Sequence, residues 1–226
     1  MNIRKPIAML LAAAVLAAPM SASAGLGGLG GLGKKALGGG SDSSITSADA
    51  DGFLDGAMLS TKNVMISAAL LAQALKDREG LASQSAEIAA ISKSQSFGEL
   101  NSHKEQMQQN FAILNEQGAM TDKMTAVYQA GNAKQKQVIS IALANLALGV
   151  YRNVKLAGAA PGMVQSVAGS PQLMGRVGEF KSAAGLLGMQ GKGLGTIGTS
   201  LPKLMTSLKI KPLPEAETTK PVAVSL

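Results

Sequence analysis

The stretch that decides the fold is residues 54–75, which read LDGAMLSTKNVMISAALLAQAL. Apolar or small side chains recur in it at alternating intervals of four and three residues. That spacing places them on one face of an α-helix, like the seam of a coiled coil. The members of this seam are Leu54, Met58, Thr61, Met65, Ala68, Ala72 and Leu75. Because such a seam needs a partner, we expect the helix containing Met107 and Met124 to pack against it in the antiparallel direction.

Helical spacing continues on both sides of this seam, and no segment alternates apolar and polar residues as a strand would. A capping box of Thr46 and Asp49 should start the first helix, and Ser96 with Glu99 resembles a second box. Ser170 and Ser200, each followed closely by a proline, predict the N-caps of two later helices. The expected helices cover about 48–79, 81–95, 96–130 and 133–157, with shorter helices beginning near 171 and 201. The predicted fold is all-α: an elongated bundle of three to five helices with a flexible Gly-rich N-terminal lead and a Pro-containing tail.

The N-terminus has the pattern of a secretory signal peptide. Arg4 and Lys5 precede twelve apolar residues at 7–18, too few to span a bilayer. Small residues at Ala22 and Ala24 predict cleavage before Gly25. We therefore expect a mature protein in the periplasm or outside the cell, with no permanent transmembrane helix in the mature chain.

Composition divides the remaining chain. Residues 25–40 contain nine glycines, so residues 25–45 are expected to form a flexible lead after the signal peptide at 1–24. Residues 46–211 are predicted to form a single helical domain. It has a heptad-bearing part at 46–130 and a basic, Gly-rich part at 131–211. Residues 212–226 contain three prolines and are expected to be an extended tail.

Charge is distributed as unevenly as composition. Residues 25–130 carry 8 basic and 11 acidic side chains, whereas residues 131–211 carry 10 basic side chains and a single acid, Glu179. An uneven distribution of charge gives information about binding partners rather than about the fold. The ten basic residues are therefore candidates for a surface that binds an anionic partner. They are Lys134, Lys136, Arg152, Lys155, Arg176, Lys181, Lys192, Lys203, Lys209 and Lys211.

Residues 137–151 read QVISIALANLALGVY and contain no charge. Fifteen residues are fewer than a membrane span requires, which favours a central helix that is buried on most sides. The alternative is a segment that inserts into a bilayer after rearrangement.

Composition and motifs argue against an enzyme. With no Cys and a single His, the chain lacks a thiol nucleophile and the usual ligands of a zinc site. Glycines at 193, 195 and 198 match a dinucleotide-binding string but lack the preceding strand that such a site needs. Ser200 and Lys203 match a Ser-x-x-Lys pattern without its partner motifs. Asp49, Asp51 and Asp55 lack the later ligands of a calcium loop.

The expected function is accordingly that of a non-enzymatic envelope protein, an interaction or scaffold module that binds through its basic C-terminal half. Its partner would be another envelope protein or a second copy, with an anionic lipid or lipopolysaccharide as the alternative partner. The first alternative is a membrane-active or lipid-binding protein that uses residues 137–198. The second is an enzyme of unknown class. No catalytic, cofactor-binding or metal-binding residue, no cofactor and no sequence-specific nucleic-acid partner is predicted.

Overall fold

A computed structural model describes residues 45–214, and they form helices and connecting turns without a strand. The prediction of an all-α fold is confirmed for this part of the chain. The signal peptide with Ala22, Ala24 and Gly25, the lead before Ile45 and the tail after Pro214 lie outside the described residues.

Seven α-helices occur in the described residues, rather than the expected three to five. They are α1 Ser47–Lys76, α2 Ser85–Lys93, α3 Phe97–Asn101, α4 Lys104–Leu114, α5 Met124–Ala130, α6 Ala133–Ala168 and α7 Val177–Ser207. Short 3₁₀ segments occupy Glu79–Gln84 and Met174–Arg176, and a π-turn occupies Ala119–Lys123. Three helices of 30 or more residues, α1, α6 and α7, supply most of the core.

Helix α1 begins as the sequence predicts. The Thr46 hydroxyl accepts a hydrogen bond from the Asp49 amide at 3.1 Å, and the Asp49 carboxylate accepts one from the Thr46 amide at the same distance. This reciprocal capping box satisfies two amides that a helix start would leave unpaired. The helix ends at Lys76, three residues before the predicted end.

The seam of α1 is buried, but its main partner is α6 rather than the helix containing Met107. The Ser60 hydroxyl donates to the Gly149 carbonyl at 3.1 Å, which brings the middle of α6 against α1. The end of α1 meets the beginning of α6, where the side chain of Gln135 is near enough to Glu79 to lower the pKa of its carboxyl. Helices α1 and α6 are therefore antiparallel. The helix containing Met107 also packs against α1, but its contact is smaller than that of α6. An apolar seam specifies that partners exist without specifying which one makes the larger contact.

Helix α7 completes the three-helix core. It runs parallel to α1, since Arg176 binds Asp51 near one end and Gln190 binds Thr61 further along. It runs antiparallel to α6, because Asn153 donates to the Leu187 carbonyl at 3.0 Å while Gly198 lies against Val150. Helix α6 consequently contacts α1 on one side and α7 on the other, and the uncharged residues 137–151 form the middle of this core.

Among residues 45–214, α1 is the one helix whose length and composition would suit a membrane span. In its most apolar window 72% of the residues are buried inside the protein, and the core helix of a soluble protein passes the same test. The finding therefore adds no weight to the membrane-inserting alternative.

The predicted second and third helices are broken. Residues 79–84 are 3₁₀ before α2, and the expected helix from Ser96 to Ala130 is divided into α3, α4, the π-turn and α5. Gly118 has a φ of +74°, a left-handed conformation that glycine adopts without steric cost, and it reverses the chain after α4. The Ser96 hydroxyl accepts a hydrogen bond from the Glu99 amide, as in a capping box. The Glu99 carboxylate, however, accepts its hydrogen bond from the Gln95 amide rather than from the Ser96 amide, so the second capping box is incomplete.

The last two helices continue where breaks were predicted. Helix α6 passes through Gly158 and Pro161 to Ala168, and α7 passes through Pro202. Both prolines are exposed, so their rings lie on the outer surface of the two helices. Ser170 lies in a turn and Ser200 lies inside α7, so neither caps a helix.

The edge of the seam gives a stability prediction. Leu75 is only half-buried, so an aspartate there could turn partly towards water. We expect Leu75→Asp to lower the free energy of unfolding by about 1–3 kcal/mol, less than at a fully buried seam position. Urea unfolding followed by circular dichroism measures the change, with Leu75→Met as the control. Equal midpoints for Leu75→Asp and the parent would show that Leu75 contributes nothing to the core.

Candidate functional site

An apolar groove lies between α6 and α7 near the C-terminal end of α7. It has a volume of about 520 Å³. Residues 147, 150, 151 and 154 of α6 face it at helical spacing, as do residues 198, 201, 202 and 205 of α7. The apolar side chains that line it include Ala147, Val150, Val154, Leu201, Met205 and Ile210.

A helix-terminating turn closes one side of this groove. After α7 the Ile210 amide donates to the Met205 carbonyl at 2.8 Å, and the Lys209 amide donates to the Thr206 carbonyl at 3.1 Å. These two bonds form a Schellman motif, which requires a left-handed residue, and Lys209 takes that position with a φ of +58°. The turn sends the chain back, so Ile210 and Pro212 join the wall of the groove.

Large apolar side chains are unusually exposed at this groove. Val154 is 70% exposed and Tyr151 is 49% exposed, two of the three most exposed large hydrophobic residues in the described part of the chain. Lys155 lies beside them, with its ammonium nitrogen 4.1 Å from the centre of the Tyr151 ring. An apolar cleft with few polar groups at its edge is the usual form of a small-molecule site.

Behind the groove, buried polar side chains join the three long helices. Gln190 of α7 donates to the Thr61 hydroxyl of α1 at 2.8 Å, and Asn153 of α6 donates to the Gln190 carbonyl oxygen at 3.3 Å. All three side chains are at least 98% buried. Because an unpaired buried polar group is costly, this layer favours one register of the three helices over slipped alternatives. It contains no titratable group, so it supplies no acid or base.

The ten cations proposed from the sequence do not form one surface. Arg152 is fully buried in the core, so including it in an anion-binding surface was wrong. Arg176 is half-buried and binds Asp51 at 2.6 Å and Glu179 at 3.4 Å, bonds that raise its pKa and leave it with acidic partners already in place. The remaining eight are exposed or, for Lys136, half-buried: Lys134, Lys136, Lys155, Lys181, Lys192, Lys203, Lys209 and Lys211.

Five of these lysines fall at one end of the core. The order and direction of the helices place Lys134 and Lys136, at the start of α6, toward the same end of the bundle as Lys203, Lys209 and Lys211. We call these five residues the cationic end. The turn after α7 brings the chain at Ile210 and Pro212 back beside residues 151–155 of α6. The single acid of the basic half, Glu179, lies at the opposite end of α7, where it binds Arg176. The end of α1 adds one exposed carboxylate at Asp77 and a second at Glu79, which is paired with Arg78.

The other motifs lie in ordinary helical surroundings. The glycines at 193, 195 and 198 are inside α7, far from the helix N-terminus that would hold a phosphate. The three aspartates considered for a calcium loop have other surroundings. Asp49 belongs to the capping box of α1, and Asp51 binds Arg176. Burial and the neighbouring Asp51 raise the pKa of Asp55. Within residues 45–214, no group of three or more His, Cys, Asp or Glu side chains is placed to hold a metal ion.

No protein-family model, curated protein or solved structure matches this chain. The groove was missed by the sequence analysis. The signal that could have indicated it is the second apolar stripe on α6, at residues 147, 150, 151 and 154. That stripe extends beyond the face that packs on α1.

Proposed function

We propose that this protein is a non-enzymatic interaction module of the cell envelope, exported by its signal peptide, which binds an anionic partner through its cationic end. The observation that carries the proposal is the placement of five lysines toward the end of the bundle where α6 begins and α7 finishes. The partner would be an acidic face of another envelope protein or of a second copy. The proposed shape is an elongated bundle, preceded by a flexible lead and followed by an extended tail.

Two features support a binding role over an enzymatic one. The buried polar layer of Thr61, Asn153 and Gln190 holds the long helices in register but has no proton to exchange near neutral pH. At the cationic end, five lysines outnumber the carboxylates of Asp77 and Glu79, and Glu79 is paired with Arg78. Such a cluster attracts anions from a distance, although salt screens it because the lysines are at the surface.

A lipid-binding role is the second candidate, and the apolar groove favours it. The groove adjoins the cationic end, because Lys203 follows the lining residue Pro202 and Lys211 precedes Pro212. A surface that combines apolar side chains with lysines suits anionic headgroups, to which each lysine contributes about 1 kcal/mol.

Vesicle binding tests the cationic end. We expect the mature chain to float with vesicles of anionic phospholipid but not with neutral vesicles, and to dissociate at about 1 M salt, where the Debye length is about 3 Å. Lys203→Glu combined with Lys211→Glu should reduce binding at least tenfold. Lys209 is left unchanged because a substitution there would alter the Schellman turn as well as the charge. The matched control, Lys93→Glu with Lys104→Glu, makes the same change of charge on α2 and α4 and should bind like the parent.

Other outcomes would redirect the proposal. Equal loss in both double variants would mean that total charge, rather than the cationic end, governs binding. Equal retention on anionic and neutral vesicles at every salt concentration would make the attachment hydrophobic. If no vesicle binds, a crosslinker attached to a cysteine introduced at Ser207 should still capture a partner in native envelopes at low salt. Loss of that crosslink when Lys203 and Lys211 are both replaced by glutamate would support the scaffold role. The absence of native cysteines makes this labelling specific.

A further inference from the structure

We infer that the groove between α6 and α7 is the docking site of the protein's own C-terminal segment, residues 221–226, which read PVAVSL. Residues 215–226 lie outside the described part of the chain. This docking goes beyond the proposed function. It uses none of the lysines of the cationic end, so the two proposals can fail separately.

The path of the chain after α7 leads to the groove. The Schellman turn at Lys209 reverses the chain, and Ile210 and Pro212 then line the groove. The half-buried side chains of Ile210 and Leu213 also pack against the core. The last described residue, Pro214, is two positions beyond the lining residue Pro212, so the segment that follows starts close to the groove.

The groove presents apolar surface that no residue of the described part of the chain covers. Val154 and Tyr151 are exposed beside a concave site, rather than scattered singly over the surface. Ile210 and Pro212 form part of the wall, and a volume of about 520 Å³ stays open beside them. Apolar side chains that enter this volume would remove the exposed surface from water, which is favourable.

The sequence of the C-terminal segment suits an apolar groove of this length. Val222, Val224 and Leu226 are two positions apart, so in an extended chain their side chains lie on one side. From the first to the last they span about 13 Å, at about 3.3 Å per residue. The lining residues Ala147 and Val154 are separated by about 10 Å along the axis of α6, at 1.5 Å per residue. Three apolar side chains can therefore contact the groove over its whole length.

The connecting residues 215–220 make this docking favourable within one molecule. They read EAETTK, and six extended residues span about 20 Å, which is more than the length of the groove. The segment can therefore turn back and lie along it. So short a connection presents the segment to the groove at an effective concentration on the order of millimolar. For this reason we commit to the chain's own segment, which acts as an internal competitor for any other ligand of the groove.

Disulfide formation in the full mature chain tests the docking, because the chain has no native cysteine. Val154→Cys with Val224→Cys is the groove pair, and Ser207→Cys with Val224→Cys is the control pair. Ser207 is exposed, does not line the groove and is closer to the segment along the chain. An undocked segment would therefore reach Ser207 at least as readily as Val154. At equilibrium with glutathione, we expect the effective concentration of thiols in the groove pair to be at least tenfold higher than in the control pair.

Further variants separate docking from proximity. Adding Val222→Asp with Leu226→Asp places charges in the apolar segment and should lower the groove pair to the level of the control pair. Thr218→Asp with Thr219→Asp adds the same charge to the connecting residues and should leave the groove pair unchanged. A chain with Val154→Cys as its single cysteine should react with a maleimide at least fivefold more slowly than the same chain carrying Val222→Asp with Leu226→Asp. Circular dichroism melts verify that each variant folds.

Several results would overturn the docking. They are equal effective concentrations in the two pairs, a groove pair that is insensitive to Val222→Asp with Leu226→Asp, and maleimide reaction at one rate in both chains. A disulfide that forms only between two chains, with a yield that rises with protein concentration, would assign the groove to the segment of a second copy. If the groove disulfide forms as expected while vesicle binding and envelope crosslinking fail, the proposed function alone is overturned.

Discussion

Replacing Phe180 with alanine is expected to lower the free energy of unfolding by about 3–5 kcal/mol, the usual cost of deleting a buried phenylalanine side chain. Phe180 is fully buried near the start of α7 and stacks on Phe53 of α1, with ring centres 5.6 Å apart and planes 12° apart. The pair joins the first and last long helices of the core. Its loss would leave a cavity that two rigid helices cannot close.

The measurement is a urea titration at constant protein concentration, with unfolding followed by circular dichroism. Phe180→Leu is the matched control, because it retains most of the apolar volume and should lose a smaller part of the stability. The Arg176 guanidinium lies 6.0 Å from the Phe180 ring, so an Arg176→Gln variant separates its contribution from that of the ring. If Phe180→Ala and the parent unfold at the same urea concentration, α7 is not packed on α1 through this pair.

The start of α1 and the burial of its seam were predictable because the information is local. A capping box needs four consecutive residues, and the heptad spacing needs only one helix. The partner of the seam was not predictable in this way. Helix α6 approaches α1 where Gly149 removes a side chain opposite Val64, and nothing in the periodicity of either segment indicates that pairing.

The glycines of α7 misled the sequence analysis for an energetic reason. A glycine in a helix costs about 1 kcal/mol relative to alanine, so six of them in residues 185–198 predicted a break. The opposite face of the same segment buries Leu187, Leu194 and Ile197 against the core. Burial of these side chains outweighs the helix propensity of the glycines, and the helix continues.

The groove required the arrangement of whole helices to be known. It forms where α6 and α7 face each other and where the turn at Lys209 brings Ile210 back. Sequence spacing shows that Tyr151 and Val154 share a face with Ala147, but that face could equally have been covered by another helix. Neighbouring positions on α6 differ greatly in exposure. Arg152 is fully buried, whereas Tyr151, the residue before it, is 49% exposed.

Replacing an exposed glycine with alanine and replacing a closely packed glycine with alanine should change the free energy of unfolding in opposite directions. Gly185 is exposed on α7, and a β-carbon there would have no other atom within 4 Å. We therefore expect Gly185→Ala to raise the free energy of unfolding by about 0.5–1 kcal/mol, because alanine has the higher helix propensity and restricts the unfolded chain. Gly188 and Gly195 have the same open surroundings and should respond alike.

Gly149 should respond in the reverse sense. A β-carbon there would lie 2.6 Å from a methyl group of Val64, a stiff side chain that is fully buried in α1. The clash would force α1 and α6 apart and strain the bond from Ser60 to the Gly149 carbonyl, so Gly149→Ala should cost about 1–3 kcal/mol. Gly193→Ala should act similarly, because its β-carbon would lie 2.2 Å from the Phe111 ring. Thermal and urea unfolding of Gly185→Ala and Gly149→Ala measure the contrast. If both substitutions stabilise the protein, the close approach of α1 to α6 at Gly149 does not exist.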